Sequence, residues 1–152
     1  EGLYQKGYRG IIFDIDNTLV PHGAPADQRA KELFLRLHGM GMKTCLLSNN
    51  KEPRVASFAS QVKSPYIFKG GKPGTKGYQR AMELMGTDCR TSLFVGDQLF
   101  TDVYGANRAG IYAVLTKPIH PKEEIQIVLK RRLEAVVLLF YRRACEKQRK
   151  HS

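Results

Sequence analysis

Residues 10–20 read Gly10-Ile11-Ile12-Phe13-Asp14-Ile15-Asp16-Asn17-Thr18-Leu19-Val20, an apolar run that delivers two carboxylates and then breaks into polar residues. Ile11, Ile12 and Phe13 show no alternation of apolar and polar positions, as expected of a strand covered by helices on both faces of a parallel sheet. Asp14 and Asp16 stand two residues apart. On an extended chain they project to the same side about 7 Å apart, near enough to share a cation and costly to bury without one. Asn17 and Thr18 favour a turn. Alone, an Asp-x-Asp at a strand end serves equally well as a polar cap before a loop, so the rest of the chain decides.

Outward from that stretch, residues 27–38 carry Ala30, Leu33, Phe34 and Leu37 at helical spacing, with Gly39 and Gly41 placed to end the helix. Residues 43–47 form a short second strand that ends in Ser48-Asn49-Asn50, and Pro53 opens a helix with Val55, Phe58, Ala59 and Val62 on one face. Residues 66–68 make a brief third strand before Gly70-Gly71-Lys72-Pro73-Gly74, and a helix follows over 75–85. A fourth strand, 91–95, ends in Gly96-Asp97 with Asp102 a few residues on; a helix to about Ala109 and a fifth strand over 111–115 complete the series. Such βα alternation with short connections predicts a doubly wound, Rossmann-like parallel sheet with helices on both faces and right-handed crossovers. Ligands of open α/β sheets bind beyond the carboxyl ends of the strands. The polar residues fall there after four different strands: Asp14 and Asp16, Ser48, Lys72, then Asp97 and Asp102.

Several carboxylates with one lysine and one hydroxyl suit a hard divalent cation and a phosphate. Magnesium takes oxygen ligands and keeps waters and a phosphate oxygen in its octahedron. Lys72 is placed to neutralise phosphate charge, and Ser48 with nearby backbone N–H groups to hold the other oxygens. Asp14, ionised at its ordinary pKa, needs no base to act as a nucleophile through an aspartyl-phosphate. Asp16 would then serve as general acid and base, a role that asks for a raised pKa. Gly70-Gly71-Lys72-Pro73 lacks the Ser or Thr of a P-loop. A signalling receiver carries its phosphoacceptor after the third strand, where this chain has Lys72.

Asp14-Ile15-Asp16-Asn17-Thr18, Ser48-Asn49, Lys72-Pro73 and Gly96-Asp97 with Asp102, in this order, resemble the four signature motifs of the haloacid dehalogenase (HAD) superfamily. The likeness covers about residues 10–115. Asp14 to Pro21, with Ser48-Asn49-Asn50 and Lys72-Pro73, further resembles the subfamily IIIA phosphatases of the YqeG type. The resemblance implies Asp14 as nucleophile and metal ligand, and Asp16 as acid/base with its backbone carbonyl on Mg²⁺. It also implies Thr18 as a support, Ser48 and Asn49 on phosphate, Lys72 on nucleophile and phosphate, Asp97 on the metal, and Asp102 as a further metal-site acid. The short intervals from Asp16 to Ser48 and from Ser48 to Lys72 leave no room for a large cap domain. The site is therefore expected to be open, suited to a phosphate on a large or surface-bound substrate or to a lid from another subunit of a homo-oligomer. Residues 20–25 are the one candidate flap, or an ordinary loop.

At 152 residues the chain fits one domain. Its longest strongly apolar run, 135–141, falls far short of the roughly 20 residues that span a bilayer. Cys45, Cys89 and Cys145 show no Cys-x-x-Cys spacing, which excludes a disulfide framework or zinc site by pattern and fits a cytoplasmic setting. The net charge is +11, and a basic surface calls for anionic partners. Residues 122–152 carry a stripe of Val128, Leu129, Leu133, Val136, Leu139 and Phe140 among basic residues. This reads either as a terminal helix packed on the core with a solvated basic tail, or as an interfacial helix drawn to anionic lipid. A more distant resemblance, to phosphatases of phosphatidylglycerophosphate, encourages the peripheral membrane reading. No aromatic-rich basic motif points to nucleic acid. The expected function is thus a Mg²⁺-dependent phosphomonoesterase. The alternatives are a phosphatidylglycerophosphate phosphatase at a membrane surface and a non-catalytic scaffold binding an anionic partner.

Overall fold

In a computed structural model the chain divides into two compact units, Glu1–Ile119 and His120–Ser152, and the structure describes residues 2–119. The basic amphipathic helix and tail expected over 122–152 lie outside the described residues. After a short helix α1 (Gly2–Gln5), absent from the sequence reading, come β1 (Gly10–Phe13), α2 (Gln28–Gly39), β2 (Lys43–Leu47), α3 (Glu52–Val62), β3 (Tyr66–Ile67), α4 (Lys76–Met85), β4 (Ser92–Gly96), α5 (Tyr104–Arg108) and β5 (Tyr112–Leu115). All strands are parallel, in the order β3-β2-β1-β4-β5. The Asp14 strand is therefore central.

The two-residue repeat of the strands divides the core between the sheet's faces. Ile11, Phe13, Leu46 and Leu93 join Phe34 and Leu37 of α2 and Val55, Phe58, Ala59 and Val62 of α3. Ile12, Cys45, Leu47 and Phe94 join Tyr78, Ala81 and Met85 of α4 and Ala106 of α5. This is the doubly wound arrangement expected, and only one helix stands between β1 and β2 and one between β2 and β3, so no cap domain is interposed there. Asp27 starts α2 by accepting a hydrogen bond from the Ala30 N–H at 2.7 Å.

Two expectations change. Leu33, assigned to the buried stripe of α2, is 38 % exposed, because Ala30, Phe34 and Leu37 already span the face that meets the sheet. The single helix expected after Asp97 is instead a π-type turn, Leu99–Val103, running into α5. The N–H groups of Asp102 and Val103 both donate to the Gln98 carbonyl, and this widened turn brings Asp102 back beneath Gly96. Such local widening is frequent at functional sites.

Glycines let the loops beyond the strand ends approach the helices closely. A Cβ on Gly77 would lie 2.6 Å from the Gly70 carbonyl oxygen and 2.8 Å from Leu47 Cδ1, so α4 meets the loop that carries Lys72 with no room for a methyl. Gly77→Ala is expected to destabilise the protein by about 2 kcal/mol through overpacking, read as a lower denaturant midpoint with an unchanged slope.

Candidate active site

The site lies across the carboxyl ends of β1, β2, β3 and β4. Asp14 follows β1 directly, its N–H donating to the Val95 carbonyl at 2.9 Å, so its backbone is fixed by the sheet. Lys72, 8 % exposed, reaches in from the loop after β3, and its Nζ donates to Asp14 Oδ1 and Asp102 Oδ1, each at 2.6 Å. Asp102 Oδ2 accepts from the Gln98 N–H at 3.1 Å. The Thr18 hydroxyl lies 3.2 Å from both Asp14 Oδ2 and Asp97 Oδ1, bridging the two acids. Asp14, Asp97, Asp102 and Lys72 are all buried.

Asp14, Asp97 and Asp102 each offer an oxygen within 4.8 Å of the others. Among the described residues these three carboxylates, when ionised, face one ammonium, which leaves two negative charges uncompensated in a buried place, the charge of one divalent cation. The donor set, all hard oxygen, fits magnesium in kind. Electrostatics say the same. Burial pushes the Asp14 carboxyl up to about 7 against the pull of Lys72, with Asp102 and Asp97 raising it further. Burial, then the neighbouring Asp102, raises Asp97. Burial opposes the charge on Lys72, but Asp14 and Asp102 more than restore it and hold its pKa above the usual lysine range.

Asp16 departs from expectation. Its carboxylate does not join the acidic cluster: the N–H groups of Thr18 and Leu19 turn back onto the Ile15 carbonyl, so the chain is no longer extended there. Asp16 Oδ1 accepts from the Gly23 N–H and from Arg54 Nη2, both at 2.9 Å, and Oδ2 from Asn50 Nδ2 at 3.3 Å. Burial raises its pKa, but Gly23, Arg54 and Asn50 outweigh it and hold the carboxyl below the usual range. The two carboxylates therefore do not share a cation through their side chains, and the acid/base role meets a free site that prefers the ionised form. The residues 20–25 are anchored at Gly23 by that same carboxylate.

Ser48, 3 % exposed, accepts from the Asn50 N–H at 3.1 Å and lies at the end of β2 as expected. Asn49 is turned to structure: its Nδ2 donates to the Lys72 carbonyl at 3.0 Å and its Oδ1 accepts from the Lys72 N–H at 2.8 Å. Through both amide atoms it holds the Lys72 backbone in place. A cavity of about 350 Å³ bounded by His38, Lys43, Lys63 and Leu84 lies at the opposite end of β2 and takes no part in the site.

A HAD-hydrolase-like family model matches residues 69–124. The chain is 38 % identical over 142 residues to the probable phosphatase YqeG of Bacillus subtilis, covering 91 % of this chain and 81 % of that protein. The chain belongs to the HAD superfamily, among its YqeG-like phosphatases. It is also 28 % identical over 155 residues to phosphatidylglycerophosphate phosphatase 1 (chloroplastic/mitochondrial) of Arabidopsis thaliana, covering 91 % of this chain but 43 % of that protein. The HAD fold recurs in the cobalt-bound deoxy-D-mannose-octulosonate 8-phosphate phosphatase YrbI of Haemophilus influenzae, with a TM-score of 0.61 at 15 % identity over 78 % of this chain and 74 % of that one.

The sequence reading missed Gly23, Asn50 and Arg54, the three partners of Asp16. Arg54 alone left a trace: it stands in the first turn of α3, where the helix dipole disfavours a cation. Among the described residues no helix is long and apolar enough to cross a membrane.

Proposed function

We propose that the chain is a magnesium-dependent phosphomonoesterase working through an aspartyl-phosphate on Asp14. The observation that carries this is the buried set of Asp14, Asp97 and Asp102 closed by one lysine. An Asp14 oxygen attacks phosphorus as the bond to the leaving oxygen breaks, and that oxygen takes its proton from Asp16. A dianionic phosphoryl group brought beside Asp16 favours its protonation by like-charge repulsion. Water then attacks phosphorus and gives a proton to Asp16, and the Asp14–phosphorus bond breaks to release inorganic phosphate. Lys72 and Ser48 with backbone N–H groups hold the phosphoryl oxygens. Asp14, Asp97 and the Asp16 carbonyl, with Asp102 behind them, would hold a Mg²⁺ that offsets repulsion between phosphate and nucleophile.

A phosphomonoester borne on a phospholipid at a membrane surface is the second reading. It is favoured by exposed Leu99 and Phe100 in the turn beside Asp97 and by the likeness to the Arabidopsis phosphatase.

The test is hydrolysis of an aryl phosphate with and without Mg²⁺, paired with thermal melts at pH 5 and pH 8. Turnover should require the cation. In its absence stability should fall as pH rises. Below the ordinary value of 3.8 Asp14 is protonated folded and unfolded; above it the unfolded chain releases the proton while the folded one keeps it until about 7, so protonation favours the fold and that gain is lost through the folded pKa. Mg²⁺ should therefore raise Tm more at pH 8 than at pH 5. No turnover across a broad phosphate panel would favour the non-catalytic scaffold.

A further inference from the structure

We infer that Tyr78 is a positioning residue for the metal site: its hydroxyl holds the turn that carries Asp102, and so sets where that acid stands among Asp14, Asp97 and Lys72. The inference rests on the metal-dependent phosphatase reading and adds to it a residue of α4 that acts from behind the acids. Tyr78 is fully buried, with its ring 5.2 Å from that of Phe94 at an angle of 67°. Its hydroxyl lies 3.0 Å from both the Thr101 and the Asp102 carbonyl oxygens. A phenol has one hydrogen to give, so these two consecutive carbonyls share it and both point at one fixed atom.

Asp102 needs such a hold because the sheet does not supply one. Asp14 and Asp97 follow β1 and β4 directly, and the Asp14 N–H is bonded to the Val95 carbonyl. Asp102 stands instead in the π-type turn Leu99–Val103, where its own N–H and that of Val103 share the single Gln98 carbonyl. The turn has little room to drift. A Cβ on Gly96 would collide with the Asp102 carboxylate, and one on Gly105 would lie 2.6 Å from the Tyr78 hydroxyl oxygen and 3.0 Å from Pro73 Cα. The turn is thus pressed between β4 on one side and Tyr78 with the Lys72 loop on the other. Held there, Asp102 spends Oδ1 on Lys72 and Oδ2 on the Gln98 N–H. Because Lys72 also bonds Asp14, a shift of the turn disturbs the lysine and the nucleophile together. Magnesium demands near-ideal octahedral geometry, and removing a group that orients metal ligands from behind weakens metal binding by about 10–100-fold. A merely structural hydroxyl would lower stability and leave metal affinity alone.

Tyr78→Phe keeps the ring and removes the hydroxyl. Thr44→Val is the control, because Thr44 is also buried and bonded through its hydroxyl, to Ser64 at 2.8 Å, but near the opposite end of β2 from the site. The probe is Mn²⁺, which carboxylate oxygens bind as they bind magnesium, and the fall in its free paramagnetic resonance signal counts bound ions. Both variants should melt below the wild type, but only Tyr78→Phe should raise the Mn²⁺ dissociation constant, by about tenfold. In aryl phosphate hydrolysis the half-saturating Mg²⁺ concentration should rise by a similar factor, while kcat at saturating Mg²⁺ stays within about threefold of wild type. Should Tyr78→Phe fail to fold, Gly105→Ala, which presses on the same hydroxyl from α5, is read in the same way. A dissociation constant unchanged in Tyr78→Phe, or raised equally in Thr44→Val, overturns the inference while leaving the phosphatase reading intact. The expected weakening in a protein that hydrolyses no phosphate would uphold the inference and remove the phosphatase reading. No Mn²⁺ bound by the wild type overturns both.

Discussion

Asp14→Asn is expected to reduce turnover of an aryl phosphate in the presence of Mg²⁺ by about 10³-fold or more, the scale on which loss of a nucleophile acts. The amide keeps the shape of the side chain but cannot form the acyl phosphate, and it removes a charge from the donor set for the cation. The same change is expected to raise the Tm of the cation-free protein. Asp14 is buried beside Asp97 and Asp102, burial already disfavours its ionised form, and an amide relieves that repulsion while Lys72 keeps its bond to Asp102. Loss of activity with gain of stability is the mark of a functional acid rather than a structural one. Retained activity would remove Asp14 as nucleophile, and a lowered Tm would show that the carboxylate holds the fold. Phosphate release and a melting curve on one preparation measure both.

How far the sequence reaches depends on whether a property is local or long-range. The strand at Ile11 to Phe13, the stripe of Val55, Phe58, Ala59 and Val62, and the polar ends of four strands are all local patterns, and each appears in the fold. Because a doubly wound sheet gathers its strand ends by topology, those patterns also sufficed to bring Asp14, Lys72, Asp97 and Asp102 together. The division of labour around Asp16 was not legible. Its partner Arg54 lies 38 residues away and its partner Gly23 offers only a backbone N–H, which any residue there could supply. Asn49 shows the converse: its place beside Ser48 suggested a phosphate ligand, yet both its polar atoms are used on the Lys72 backbone. Strand-end position says which residues meet, whereas only side-chain partners say what each is free to do.

Lys72→Met carries the second large effect, and it falls on the fold as much as on catalysis. Among the described residues Lys72 is the one basic side chain paired to the acidic cluster, touching two of its three carboxylates from a buried position. Replacing a buried ion-pair partner with an apolar group leaves uncompensated charge and costs ~3–5 kcal/mol, a large share of an ordinary domain's stability. The loss is expected to shrink at low pH, where protons neutralise Asp14 and Asp97, and to shrink again with millimolar Mg²⁺, because a cation bound only by the folded state stabilises it by mass action. Asp14→Asn added to Lys72→Met should recover part of the loss, giving a clear coupling energy, since the two residues touch. If the double variant is less stable than Lys72→Met alone, the lysine does not act by neutralising the cluster. Under the proposed function activity should stay lost at every Mg²⁺ concentration, because the cation restores charge balance but not the donor proposed to hold the phosphoryl oxygens.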